Sequence, residues 1–137
     1  MSKDIIEMLK GVENLRFTKP ATIEEISAAE QKLGLKFADD YIKCLLHYGV
    51  VFLESIDLMG ITDVKYASVV HNTIQEKSFD CHSQVPSNMY VIENVGIDGL
   101  LAWQDESGAV YHTLPWQEPE KYANSLAEYI EKVLSEE

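Results

Sequence analysis

An α+β domain is what the order of local signals in this chain predicts. Helix-period segments fill the first half, strand formers separated by glycine turns fill most of the second, and one amphipathic helix closes it. The alternating strand–helix rhythm of a parallel sheet is missing, so the strands are expected to form a mainly antiparallel meander. At 137 residues and 46% apolar composition the chain is expected to be one domain, residues 1–137, with a real core.

Ile5, Ile6, Leu9 and Val12 recur at helical spacing and predict a short first helix ending near Gly11 or Asn14. Residues 1–20 are this helix and its lead-in, and Pro20 breaks the chain. Thr22-Ile23-Glu24-Glu25 has the capping-box pattern, in which hydroxyl and carboxylate each satisfy a backbone N–H that the helix leaves orphaned. The helix it opens should bury Ile26, Ala29 and Leu33 and stop at Gly34, a residue suited to the left-handed cap. Asp39 and Asp40 then sit at the positive end of a further helix, with Tyr41, Ile42, Leu45, Leu46 and Tyr48 on its apolar face and Gly49 closing it.

Val50–Leu53 and Ile56–Met59 read as short strands. Tyr66, Val69, Val70, Thr73, Ile74 and Lys77 return to helical spacing, and residues 81–88, with Pro86, read as a loop. Met89–Glu93, Leu100–Gln104 and Ala109–Leu114 are the best strands, separated by Gly96-Ile97-Asp98-Gly99 and Asp105-Glu106-Ser107-Gly108 as turns. Ser125-Leu126-Ala127-Glu128 is a second capping box, before a stripe of Leu126, Tyr129, Ile130, Val133 and Leu134.

The charge balance narrows the function. Twenty-three acidic against 11 basic residues give a formal charge of −12, which repels nucleic acid and anionic membranes. Between Ser78 and Glu120 there is no Lys or Arg, while Asp80, Glu93, Asp98, Asp105, Glu106, Glu118 and Glu120 are acidic. The complement of that window is a basic protein surface. Trp103, Tyr111 and Trp116 fall within it, either as core or as the apolar centre of an interface, and Trp103 and Tyr111 are expected near each other across a hairpin whose register the sequence leaves open.

Chemistry is scarce. His47, His71, His82 and His112 are scattered, and Cys81-His82, the one adjacent pair, specifies no metal geometry. Cys44 falls in a buried helical pattern, Cys81 has no cation close in sequence to activate it, and reduced thiols are expected. The glycine turn at 96–99 lacks the Lys and Ser or Thr of a phosphate loop. No catalytic residue, metal or cofactor is expected. No apolar run is long enough to span a bilayer, and the charged opening Met1-Ser2-Lys3-Asp4 is unlike a secretory leader, so a cytoplasmic protein is expected.

Taken in order, Thr22–Ile26, Ala29–Gly34, Tyr41–Leu46 with Tyr48-Gly49, Leu58-Met59-Gly60, Gly96–Gly99, Asp105–Tyr111 and Ser125–Ile130 resemble the SUKH superfamily (SMI/KNR-type domains) across residues 22–134. One departure is Phe37-Ala38, where family members often carry a Pro ahead of the Tyr-led helix. The resemblance implies a curved, mainly antiparallel sheet flanked by helices. It also implies a bacterial immunity protein (antitoxin) that binds and neutralises a polymorphic toxin, many such toxins being nucleases. The residues expected to contact a basic toxin domain, chosen from the charge map, are Glu93, Asp98, Trp103, Asp105, Glu106, Tyr111 and Trp116. Two other readings stand beside this one: a regulatory adaptor of the same fold, and a small carboxylate-dependent hydrolase.

Overall fold

The computed structural model describes residues 4–135, so the Met1–Lys3 part of the opening read as unlike a leader lies outside it. Among the described residues five α-helices and seven strands follow in the order α1 (Ile5–Lys10), β1 (Arg16–Phe17), α2 (Ile23–Leu33), α3 (Asp39–His47), β2 (Val51–Phe52), β3 (Asp57–Leu58), α4 (Val69–Lys77), β4 (Tyr90–Asn94), β5 (Leu101–Gln104), β6 (Val110–Thr113), β7 (Glu120–Ala123) and α5 (Leu126–Ser135). The strands form two antiparallel sheets, β1-β2-β3 and β4-β5-β6-β7. The class is α+β, as the order of signals predicts.

The two sheets touch at a bulge. The β4–β5 register shifts between Val91 and Glu93, and the carbonyl of Ile92, between them, accepts the Met59 N–H at 2.8 Å. One extra residue in β4 thus turns a carbonyl toward the end of β3.

The first predicted capping box is complete, whereas at the second only the Ser125 Oγ–Glu128 N–H bond forms, at 3.1 Å. Thr22 Oγ1 accepts the Glu25 N–H at 3.1 Å, and the Glu25 carboxylate accepts the Thr22 N–H at 2.9 Å. Gly34 ends α2 at φ +68°. The lead-in to α3, where the expected Pro is missing, is held differently: Ala38 provides no side-chain cap, and its N–H donates to the Tyr90 hydroxyl at 2.9 Å.

Three details differ from the sequence reading. Leu46 is exposed, and Cys44 takes its place on the buried face of α3 with Tyr41 and Leu45. The middle helix begins at Val69, because Ser68 Oγ caps the His71 N–H at 3.0 Å; Tyr66 lies before it in an exposed 3-10 turn. Strands β1 and β7 were not expected, the first being two residues long and the second reading Glu-Lys-Tyr-Ala, half of it charged.

A line of polar groups runs through the core from α3 to α5. The Tyr90 hydroxyl donates to Gln104 Oε1 at 2.7 Å, and Gln104 Nε2 donates to Asp40 Oδ1 at 3.0 Å and to the Gly108 carbonyl at 3.1 Å. Asp40 Oδ2 then accepts the backbone N–H of Leu126, the first residue of α5, at 2.8 Å. Asp40 therefore caps a helix that lies 86 residues further along the chain, in addition to its place in the first turn of its own helix. Asp40→Ala should cost about 2 kcal/mol, the upper range of a lost cap, since Gln104 also loses an acceptor. Asp39→Ala next to it, at an exposed carboxylate, should change stability by less than about 0.5 kcal/mol. Urea titration of both variants checks the contrast.

Candidate protein-interaction surface

The antiparallel order of β4 to β7 sorts the acidic window onto two opposite ends of one sheet. The β4–β5 connection (95–100) and the β6–β7 connection (114–119) emerge at the first end. The β5–β6 hairpin (105–109) and the start of α5 lie at the second. Three residue steps along β5, about 10 Å, separate the two.

At the second end, Glu106 is exposed on the wall of a cleft of about 460 Å³ that Asp39, Asp40 and Glu128 also line. Asp105 is half-buried and committed to its own turn: its Oδ1 accepts from the Ser107 N–H at 3.0 Å and from the Ser107 hydroxyl at 2.5 Å. Tyr111, on β6, is half-buried and pairs with Trp103 across the β5–β6 ladder as expected. Burial, and then the Asp105 carboxylate beside it, raise its phenol above the ordinary tyrosine range.

Two of the expected contact residues are corrected by the structure. Trp103 is fully buried, its indole N–H donating to Thr113 Oγ1 at 2.8 Å. Glu93 is 3% exposed, with the Tyr129 hydroxyl donating to it at 2.5 Å. Neither side chain can meet a partner: Glu93 lies under Tyr129 of α5, and Trp103 projects from the opposite face of the sheet, where its ring meets that of buried His82 with centroids 5.9 Å apart. Burial pushes the Glu93 carboxyl up to about 7, against the opposing pull of the Tyr129 hydroxyl and the Asp57 N–H; the Asp57 charge adds to the rise. Such a shifted carboxylate is what a carboxylate-dependent hydrolase would need, but this one is sealed under Tyr129 and cannot reach a substrate.

The first end holds Asp98 and Trp116, and it has the features of a contact surface. Trp116 is 69% exposed, Ile97 64%, and Phe79 and Leu114 are also open to solvent. Three segments are tied together here. The Trp116 N–H donates to the Cys81 carbonyl at 2.8 Å, and a Cβ at Gly99 would stand 3.0 Å from Pro115, so the β4–β5 turn packs directly against the β6–β7 connection. Asp80, Asp98 and Glu118 are the charged residues of these segments, and none is basic.

Asp98 and Trp116 both have positive φ, +53° and +70°. Asp tolerates the left-handed region, but a bulky aromatic there is an outlier that costs on the order of 1–3 kcal/mol. The fold holds an exposed tryptophan in a strained conformation where burial offers no compensation. Sequence reasoning had named Trp116 and Asp98 without their neighbours; Ile97 was read only as part of a turn, and Phe79 and Leu114 carried no sign that they would be exposed.

The remaining chemistry is structural. His82 is buried with Nε2 3.3 Å from Glu76, and His112 stacks on Tyr122 with ring centroids 4.3 Å apart. Burial pushes the Cys44 thiol up to about 12, which leaves it protonated and inert. Among the described residues no group of three or more His, Cys, Asp or Glu is disposed to hold a metal ion, and no helix is long and apolar enough to cross a membrane.

Comparison with known proteins places the chain beside others. Residues 2–135 match the model of the SUKH_5 family, described as SMI1-KNR4 cell-wall. The chain is also similar to YnaB of Bacillus subtilis (strain 168), itself described as uncharacterized, with 34% identity over 61 residues. That alignment spans 44% of this chain and 40% of YnaB, less than half of either.

Proposed function

This chain belongs to the SMI1-KNR4 (SUKH_5) family, and from that premise we propose that it is an immunity protein, a non-catalytic binder that neutralises a basic toxin domain of nuclease type in the cytoplasm. The observation that carries the reading is the convergence of exposed Trp116, Ile97 and Leu114 with Asp98 and Glu118 on one end of the sheet, in a stretch of chain without a single Lys or Arg. Exposed apolar groups of this size, rimmed by charge of one sign, mark protein interfaces. Nuclease domains bind phosphate through basic surfaces, and carboxylates can take the place of those phosphates. The net charge of −12 would also speed encounter with such a partner, most strongly at low salt.

The test is capture of the purified protein on the toxin domain encoded beside its gene, followed by a nuclease assay of the pair. Trp116→Ala should weaken binding at least about 30-fold, the loss of roughly 2 kcal/mol typical of an aromatic hot spot, while leaving the unfolding midpoint nearly unchanged, because the side chain is exposed. Asp98→Lys should slow association. The double reversal Asp105→Lys with Glu106→Lys, at the opposite end, should have the smaller effect; the reverse ranking would move the contact to the cleft of Glu106 and Asp40. Failure of every neighbouring toxin domain to bind would remove the immunity reading and leave a regulatory adaptor of this family.

A further inference from the structure

On the helical side of the molecule, α2 and α4 leave an open groove of about 580 Å³ between them. Its floor is apolar, with Ala28 and Ala29 of α2 facing Val70 and Ile74 of α4, and Ile74 is 47% exposed. The charges that α2 contributes are one acid, Glu25, and one base, Lys32. On a chain of net charge −12 this is a locally balanced face, so here a second copy meets little of the repulsion that the rest of the surface imposes.

The pattern along α2 has its own symmetry. Glu25 and Lys32 are seven residues apart, almost two full turns and about 10 Å, and therefore share one face. The midpoint between them falls between the two alanines. Turned through 180° about that midpoint, α2 places Glu25 opposite Lys32 and Lys32 opposite Glu25, with small side chains at the crossing where the backbones must approach. A surface that is complementary to itself under a two-fold rotation is what a closed dimer requires.

We infer that the α2–α4 groove is a homodimer interface, in which α2 of a second copy lies antiparallel to α2 and the exposed Ile74 of each copy packs over the exposed Ala28 of the other. Dimerisation on this face leaves the Trp116 end of the sheet on different elements of the fold.

Sedimentation velocity of the full chain over a concentration series tests it. The expected result is a concentration-dependent shift from monomer to dimer. Glu25→Lys alone and Lys32→Glu alone each convert two attractive contacts into two repulsive ones, and each should weaken the dimer about tenfold or more. Mixing the two single variants should restore it, because the heterodimer pairs Lys with Glu at both contacts. Circular dichroism of each variant alone shows whether it has folded, and the mixture is a second check, since misfolded chains would not rescue each other. A wild-type chain that stays monomeric overturns the inference. So does a dimer indifferent to the reversals, or one that the mixture fails to restore.

Discussion

Trp103→Ala should lower the stability of the domain by about 4 kcal/mol, as measured by urea unfolding, with loss of the near-ultraviolet signal at much lower denaturant. All four residues of β5 are buried, and Trp103 is the largest fully buried side chain in the protein. Truncation removes its apolar area, opens a cavity that a sheet held on both sides cannot close, and leaves Thr113 Oγ1 without the indole N–H that it accepts at 2.8 Å. A domain of this size has roughly 5–15 kcal/mol in total, so the loss is a large part of the whole. The two tryptophans should therefore give opposite results: removal of Trp103 lowers the stability of the fold, while removal of Trp116 spares the fold and weakens binding.

Glu93→Gln should stabilise the protein at pH 8 by up to about 3 kcal/mol and do almost nothing at pH 4. The folded carboxyl titrates at about 7 against an ordinary value of 4.5, so the folded state holds its proton more tightly than the unfolded chain does. Between those two values the folded state binds more protons, and stability falls as pH rises. Below about 4.5 both states are protonated and no penalty exists; above about 7 the full penalty of a buried charge is present, at about 1.4 kcal/mol for each pH unit of difference. Glutamine has no charge to bury, and its carbonyl can still accept the Tyr129 hydroxyl. The check is the difference in urea midpoint between wild type and variant at pH 8 and at pH 5. A difference that is the same at both would mean that Glu93 does not titrate in this window.

What the sequence revealed and what it hid divide along physical lines. The Thr22–Glu25 box and the stop at Gly34 were legible because each uses residues within a few positions of one another. That Trp103 and Tyr111 lie near each other was legible because a short glycine turn joins their strands, but the register that pairs them directly was set only by the fold. Strands β1 and β7 were not, since their pairing comes from a partner strand and their own residues favour none. The two tryptophans looked alike in sequence. In β5 both faces of the strand are covered, so alternation gives no outward side to read, and Glu93 on β4 was misassigned for the same reason. Trp116 escaped burial because it sits in a connection behind Pro115, a distinction that only the fold displays. Asp40 showed its local role, beside the positive end of α3, and concealed its distant one.

That distant role has a consequence for how the chain comes together during synthesis. The N-terminus of α5 is closed by a carboxylate that leaves the ribosome 86 residues earlier, and contacts of such long separation form late because the intervening loop must first be ordered. Until α5 arrives, Asp40 has Gln104 but not the Leu126 N–H, and Tyr129 is not there to cover Glu93. A nascent chain cut short before its final helix thus keeps two carboxylates that each lack the donor α5 supplies, one at each place where α5 docks. Completion of α5, ten residues long, is what converts those acids from liabilities into fasteners.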